Sequence, residues 1–155
     1  MEIVIYSFRK NTDPHIAALE SHYLKCIPKS LKINLIDIRR SYPTHPNPTQ
    51  ILSEERDLIL KRINIDNSYL VTLHEKGKPF TSANFASWLK KIPSNFHQII
   101  FIIGGPWGLH PDIINKSRAQ LSLSPMTLTH ELARLLLLEQ LFRSTQIWLN
   151  SPYHK

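Results

Sequence analysis

Apolar residues fall into short runs separated by polar stretches, and these runs predict alternating strands and helices. The clearest strand is Ile99–Ile103, a continuous apolar run typical of a strand buried on both faces of a parallel sheet. Asp13 followed by Pro14 indicates a helix N-cap with proline at the first helical position. Further strands are predicted at Ile3–Tyr6, Ile33–Ile38, Tyr69–Leu73 and Leu121–Ser124, and helices at His15–Cys26, Ile51–Lys61 capped by Thr49, Ser82–Lys91, a short stretch after Pro111, and Glu131–Gln146.

Strands that alternate with helices predict an α/β protein with a mostly parallel sheet flanked by helices. The segment Arg39–Pro48 interrupts the pattern, because its closely spaced prolines exclude regular structure. Neither flank of this loop is large enough to form an independent domain, and 155 residues suffice to bury a core. We therefore expect residues 1–155 to form a single domain.

A glycine-rich turn, Gly104-Gly105-Pro106-Trp107-Gly108, directly follows the strongest strand. Ligands of open α/β sheets bind at the carboxyl ends of strands, and glycines there let the backbone approach a ligand closely. The same residues also fit a tight turn that merely needs positive φ. The spacing matches neither a phosphate-binding P-loop nor a dinucleotide-binding glycine fingerprint, which argues against nucleoside triphosphate and nicotinamide chemistry.

The segment from Ser122 to His130 combines hydroxyls, a methionine and a histidine before the last helix. Such a loop can offer backbone N–H and C=O groups to an adenine between apolar side chains. The alternative is a simple connection that caps the next helix through Thr129 or His130.

The last helix is apolar on nearly every side, which is typical of a helix central to the core or shared with a partner subunit. Glu139 and Arg143 have the i, i+4 spacing of an ordinary helix ion pair, although Arg143 also suits contact with RNA. The chain ends in Pro152-Tyr153-His154-Lys155. Chain ends usually fray, yet an aromatic ring, an imidazole and a cation together suit base stacking, proton transfer and phosphate contact.

The net charge of +7 favours a polyanionic partner such as nucleic acid. Cys26 is the only cysteine, so an internal disulfide and a cysteine-rich metal site are excluded. The histidines lack zinc-ligand spacing, and no metal is expected. Apolar runs are too short for a membrane span and no signal peptide is visible, so we expect a cytoplasmic protein that does not bind membranes.

Taken together, these segments resemble the RlmH family, the SPOUT-class pseudouridine N3-methyltransferases of large-subunit ribosomal RNA. Order and spacing match over the whole chain, most densely from about residue 99 onward. Four departures stand out: Trp107 for a small or polar residue, Glu54-Glu55-Arg56 for Lys-Glu-Gly, Thr129 for proline and Phe142 for tyrosine. The likeness is carried by residues 101–109, 122–130, Arg134, 138–143 and the terminal 152–155, with Leu73 and Gly77-Lys78 before them.

The resemblance implies an α/β fold with a C-terminal trefoil knot, which no periodicity reveals. It also implies a homodimer in which one subunit completes the other's site, and as substrate a pseudouridine in helix 69 of 23S ribosomal RNA within the assembled ribosome. The co-substrate would be S-adenosyl-L-methionine. The residues expected to hold it are Leu73, Gly104, Gly105, Leu123, Ser124, Pro125, Met126, Thr127 and Leu128.

The pseudouridine nitrogen must lose a proton as it attacks the methyl group, so a general base or an oxyanion stabiliser would help. His130 and His154 are the candidate bases, Arg143 a phosphate or carbonyl contact, and Tyr153 a stacking or positioning group. Three other readings stay open. The chain could be a non-catalytic RNA-binding protein, an α/β enzyme using another nucleotide, or a SPOUT enzyme acting on transfer RNA, against which its short length argues.

Overall fold

A computed structural model describes residues 2–9 and 12–153 of the chain. Within them, strands and helices alternate as the apolar pattern predicts. The elements are β1 (Glu2–Arg9), α1 (Pro14–Cys26), β2 (Lys32–Arg39), α2 (Pro48–Leu60), β3 (Ser68–Pro79), α3 (Ser82–Lys90), β4 (Gln98–Ile103), α4 (Pro111–Lys116), β5 (Ala119–Ser122) and α5 (His130–Trp148).

The strands form one five-stranded sheet in the order β2-β1-β4-β3-β5, with every neighbouring pair parallel. Parallel neighbours require long crossover connections, which the helices supply. In β4, Phe101 pairs with Ile5 on one side and Val71 on the other. The predicted α/β class and parallel sheet are therefore confirmed.

Two apolar layers cover the two faces of the sheet, because successive side chains of a strand point in opposite directions. Ile3, Ile5 and Phe101 pack on the face that carries Leu137 and Leu141 of α5. The alternate strand residues, such as Val4, Tyr6, Ile100 and Ile102, pack on the other face against Ile59 of α2 and Ile113 of α4. The run Ile99–Ile103 is thus buried on both sides, as its sequence predicts.

Three predicted details were wrong. Strand β3 does not end at Leu73 but runs to Pro79, with an irregularity in its pairing with β5 between Leu73 and Lys78. Helix α2 is capped by Asn47 and not by Thr49, because the Asn47 side chain accepts hydrogen bonds from the backbone N–H groups of Thr49 and Gln50. Strand β5 covers Ala119–Ser122 and ends before Leu123, since its pairing with β3 stops at Ser122. The residues from Leu123 onward leave the sheet and become available to a site.

Arg134 of α5 is buried, with only 1% of its surface exposed, and it joins four elements through charged hydrogen bonds. Its Nε and Nη2 donate to the Glu20 carboxylate of α1 at 2.6 and 2.7 Å, and its Nη1 donates to Ser7 of β1 at 2.9 Å and to Asp37 of β2. Arg9 of β1 donates to both oxygens of Asp37, at 2.7 and 3.0 Å. These charges are paired, as burial requires, and they fix α5 against the sheet beside the loop that precedes it.

Candidate functional site

A cleft of about 730 Å³ opens at the carboxyl edge of the sheet, where β4 and β5 end and where β3 stops pairing with β4. Its walls come from residues 73–75 of β3, the turn after β4 and the segment between β5 and α5. The structure brings these separate predicted segments together. Eight of the nine predicted cofactor-binding residues line the cleft: Leu73, Gly104, Gly105, Leu123, Ser124, Met126, Thr127 and Leu128. The ninth, Pro125, lies in the same segment but does not line the cleft.

The glycines of the turn are required by its geometry. The Gly105 carbonyl accepts a 3.0 Å hydrogen bond from the Gly108 N–H, which closes a β-turn with Pro106 and Trp107 at its tip. A Cβ atom on Gly104 would overlap the carbonyl of Gly108, and Gly108 itself has φ of +82°. The turn therefore holds bare backbone against the cleft at its base and side chains at its tip.

The segment from Leu123 to Thr129 has both roles that its sequence suggested, because it lines the cleft and caps the next helix. Thr129 Oγ1 accepts a 3.3 Å hydrogen bond from Leu132 N–H and caps α5, while most of the residues before it line the cleft. Ser124 Oγ accepts from Met126 N–H at 2.9 Å, which bends the segment and leaves the Met126 side chain 75% exposed. An exposed methionine beside a cleft offers a flexible apolar cover for a ligand.

His130, a predicted catalytic residue, also lines the cleft, at the first position of α5. His74 and Glu75 line it too, and sequence reasoning missed both. Their position directly after Leu73, near the carboxyl edge of the sheet, was the signal that could have found them. His74 Nδ1 accepts a 3.1 Å hydrogen bond from the Lys76 N–H, so a neutral His74 carries its proton on Nε2.

A second wall of polar and aromatic side chains supports the turn from outside. The Tyr42 hydroxyl, from the proline-rich loop, donates a 2.7 Å hydrogen bond to Glu55 of α2, and a Cβ atom on Gly105 would come within 2.6 Å of that hydroxyl. Glu55 is only 3% exposed. Burial raises the pKa of Glu55, while the hydrogen bond from Tyr42 and the nearby Arg40 guanidinium oppose this shift. Burial and the bond to Glu55 raise the pKa of Tyr42.

Replacing Glu55 by glutamine should make the free energy of unfolding less dependent on pH. A carboxyl with a raised pKa holds its proton more tightly in the folded chain, so its stabilising effect is complete below the unfolded pKa of about 4.3 and is lost as pH rises through the folded pKa. The stability of the wild type minus that of Glu55→Gln should therefore fall as pH rises above about 4, as measured by urea unfolding at one protein concentration.

Glu54 provides a matched control of opposite sign. It is exposed, and its hydrogen bond from Arg40 lowers its pKa, so its stabilising effect is lost as pH falls. Because that loss occurs below the unfolded pKa of about 4.3, the stability of the wild type minus that of Glu54→Gln should rise as pH increases toward about 4.3 and should not fall above it. If the difference for Glu55→Gln also rose, the assigned direction of the Glu55 pKa shift would be wrong.

Arg143 and Tyr153, the other predicted catalytic residues in the described part of the chain, lie away from the cleft. The Arg143 guanidinium lies over the Tyr153 ring at 4.9 Å and donates to Glu139 at 2.7 Å, so the predicted helix pair also forms. Tyr153 packs on Phe142 with ring centroids 4.9 Å apart. Because α5 rises 1.5 Å per residue, Arg143 is about 20 Å from His130 along the helix. His154, the remaining predicted base, lies outside the described residues.

Comparison with known proteins decides the family. Residues 1–154 match the family described as "Predicted SPOUT methyltransferase". A protein of Kosmotoga olearia named ribosomal RNA large subunit methyltransferase H is 37% identical over 155 residues, covering 99% of each chain. The chain belongs to the RlmH family of SPOUT methyltransferases. Another relative of the same name, from Campylobacter lari, is 32% identical over the full length of both chains.

A solved structure shares the fold of this RlmH family member. A probable methylase family protein from Haemophilus influenzae Rd KW20 superposes with a TM-score of 0.57 at 15% identity, covering 99% of this chain and 70% of the other. At that identity the likeness shows the fold alone. It supports the α/β arrangement that places the cleft at the carboxyl edge of the sheet.

Two features are absent from residues 2–9 and 12–153 of this family member. No helix there is long and apolar enough to cross a membrane. The same residues contain no group of three or more histidine, cysteine, aspartate or glutamate side chains arranged to hold a metal ion.

Proposed function

We propose that this protein transfers a methyl group from S-adenosyl-L-methionine to large-subunit ribosomal RNA. The observation that carries the proposal is the cleft at the carboxyl edge of the sheet, lined by the glycine turn and the segment after β5, in a chain of a methyltransferase family. The names of its relatives supply the class of RNA substrate. The net charge of +7 suits an RNA partner, and a ribosomal substrate places the protein in the cytoplasm.

The cleft fits the co-substrate in size and chemistry. Pockets for ligands of this class have volumes of about 300–1,000 Å³ and combine apolar walls with a few polar groups, and this cleft falls in that range. Gly104 and Gly105 bring bare backbone to one wall, and residues 123–128 bring backbone groups with apolar side chains to the other. We propose that the adenosine and methionine parts lie between these walls, next to Leu73. The bound sulfonium supplies an electrophilic methyl group.

The chain's own residues have two tasks in this reaction: they align the RNA nucleophile with the methyl group, and they remove the proton from that nucleophile. The proposed nucleophile is N3 of a pseudouridine in helix 69 of 23S ribosomal RNA, within the assembled ribosome, as the family resemblance implies. We propose that His130, which lines the cleft and is half-buried, accepts the N3 proton directly or through water. His154 is the alternative base. Neither role needs a metal.

We also propose that the site is completed across a homodimer. In one chain, Arg143 and Tyr153 are too far from His130 to share a bound nucleotide with it. Leu132 and Leu136, one turn apart on α5, are 44% and 41% exposed, and Leu19 of α1 is 46% exposed. A second copy that covers these leucines could bring its Arg143 and Tyr153 to the first copy's cleft.

The knot that the resemblance implies stays a prediction. The turn after β4 and the segment after β5 line one cleft, so two separate parts of the C-terminal third lie side by side there, as a knotted arrangement requires. One domain spanning residues 1–155 agrees with the single sheet that all five strands share.

Isothermal titration with S-adenosyl-L-methionine tests the proposal, together with the mass of the protein in solution. The wild type should bind the co-substrate as a dimer. Gly104→Ala should weaken binding by at least about tenfold, because its new Cβ overlaps the Gly108 carbonyl and moves the turn. Pro106→Ala, at the tip of the same turn, is the matched control and should bind like the wild type.

Wild-type protein that binds RNA but not the co-substrate would refute methyl transfer and favour a non-catalytic RNA-binding protein. A monomer that binds the co-substrate would leave the chemistry in place but refute the shared site.

A further inference from the structure

Trp107 is the one large aromatic residue at the tip of the glycine turn. Trp107 lines the cleft and is half-buried, so part of the residue stays exposed. The co-substrate site proposed above uses the base of this turn, at Gly104 and Gly105. The tip lies beyond that base, since Pro106 and Trp107 are the central residues of the β-turn closed between Gly105 and Gly108. Trp107 is therefore placed for a second ligand beside the first.

The indole is supported from its other side. Tyr42 packs on it with ring centroids 5.2 Å apart and ring planes at 70°. The hydrogen bond from Tyr42 to the buried Glu55 fixes the Tyr42 ring. The Arg40 guanidinium lies 5.6 Å from the centroid of that ring and pairs with Glu54. Arg40, Tyr42 and Trp107 thus form a layered wall, in which Trp107 is the layer that faces the cleft.

A wall of this kind suits a nucleobase. A ring held in place before binding loses little conformational freedom when a ligand stacks on it, so more of the contact energy appears as affinity. Aromatic side chains stack with unpaired RNA bases, which must leave their helix to reach an active site. The net positive charge of the chain favours an anionic strand.

We propose that Trp107 is a stacking platform for a base of the substrate RNA, either the target nucleotide or its neighbour. The inference rests on the proposed function for its class of substrate. Tyr42 acts as a positioning residue, because it holds the indole without lining the cleft itself.

The test compares Trp107→Leu, which keeps an apolar side chain without a ring, with Trp107→Phe, which keeps a ring. The substrate is purified ribosomes from a bacterial strain that lacks its own enzyme of this family, with methyl-tritiated co-substrate. Loss of one base–aromatic stack should raise the KM for ribosomes in Trp107→Leu by about five- to a hundredfold. Trp107→Phe should stay within about threefold of the wild type. Both variants should keep the wild-type Kd for S-adenosyl-L-methionine.

Three results would overturn the stacking role: an unchanged KM in Trp107→Leu, an equal loss in Trp107→Phe, or a parallel loss of co-substrate affinity, which would assign Trp107 to the co-substrate pocket. If the wild type transfers no methyl group, the proposed function fails by itself. The affinity of the same three proteins for the ribosomes, measured by co-sedimentation, then decides the stacking role. Weaker ribosome binding by Trp107→Leu, with wild-type ribosome binding by Trp107→Phe, would support the stacking role. Equal binding by all three proteins, or no binding by the wild type, would refute it.

Discussion

Replacing Arg134 by methionine should lower the free energy of unfolding by about 3–5 kcal/mol. The methionine fills much of the same volume but leaves the Glu20 carboxylate buried without its main partner. Glu20 receives two of the hydrogen bonds of Arg134, and its remaining cation, Arg9, lies 3.5 Å away. A buried charge that loses its partner costs more than the pair contributes, because its lost hydration is no longer offset. Urea unfolding at fixed protein concentration measures the loss.

The double variant Glu20→Met with Arg134→Met is the control, and it remains informative if the single variant does not fold. It removes both charges and leaves Arg9 paired with Asp37 through two hydrogen bonds. It should recover most of the lost stability, since well-packed apolar residues often replace a buried ion pair without loss. A single variant as stable as the wild type, or a double variant less stable than the single one, would refute this account of the network.

Deleting Tyr153–Lys155 should reduce methyl transfer by at least about a hundredfold while sparing binding of S-adenosyl-L-methionine. The deletion removes the Tyr153 ring from Arg143 and Phe142 and takes His154 and Lys155 with it. None of these residues lines the cleft within the described part of the chain, so the co-substrate should bind normally. Tritium transfer to ribosomes and calorimetry measure the two properties separately. Full activity of the truncated protein would exclude a role for the tail in catalysis.

Mixing subunits tests whether the tail serves the partner's cleft. Gly104→Ala disables the cleft, and the truncation disables the tail. In a mixed dimer, one site combines an intact cleft with the intact tail of the other subunit. Co-expression should therefore restore activity to about a quarter of the wild-type value, because about half of randomly paired dimers are mixed and each has one working site. A site contained within one subunit would give no restoration.

Local signals in the sequence predicted most elements of the fold. The apolar run Ile99–Ile103 identified the central strand, and Asp13-Pro14 marked the start of α1. The missed cap of α2 carried the same signal, because Asn47 precedes Pro48 just as Asp13 precedes Pro14. His110 before Pro111 is a third instance, and its Nδ1 accepts a 3.1 Å hydrogen bond from the Asp112 N–H. A polar residue before proline was thus a better guide in this chain than the threonine.

The sequence predicted the two segments that line the cleft but not the side chains that pack behind them. The glycine turn and the segment 122–130 stood out because their residue types depart from helix and strand patterns. The packing of Tyr42 on Trp107 depends on where the proline-rich loop lies in three dimensions, which no periodicity encodes. The same holds for the contact between Arg134 and Glu20, which are 114 positions apart in the chain.

The apolar sequence of α5 was compatible with two predictions, a helix central to the core or a helix shared with a partner subunit. The structure buries Leu137 and Leu141 yet exposes Leu132 and Leu136, so α5 covers the core and still presents an open apolar face.

Transfer of a tritiated methyl group to ribosomal RNA is the direct measurement of the proposed activity. The protein is incubated with methyl-labelled S-adenosyl-L-methionine and with ribosomes from a strain that lacks its own enzyme of this family, and the RNA is then separated, digested and analysed by mass spectrometry. We expect label in the large-subunit RNA, on N3 of a pseudouridine in helix 69, and much less label with Gly104→Ala. Absence of label from large-subunit RNA, while the protein binds the co-substrate, would contradict the assigned substrate, and label in transfer RNA instead would identify a different SPOUT activity.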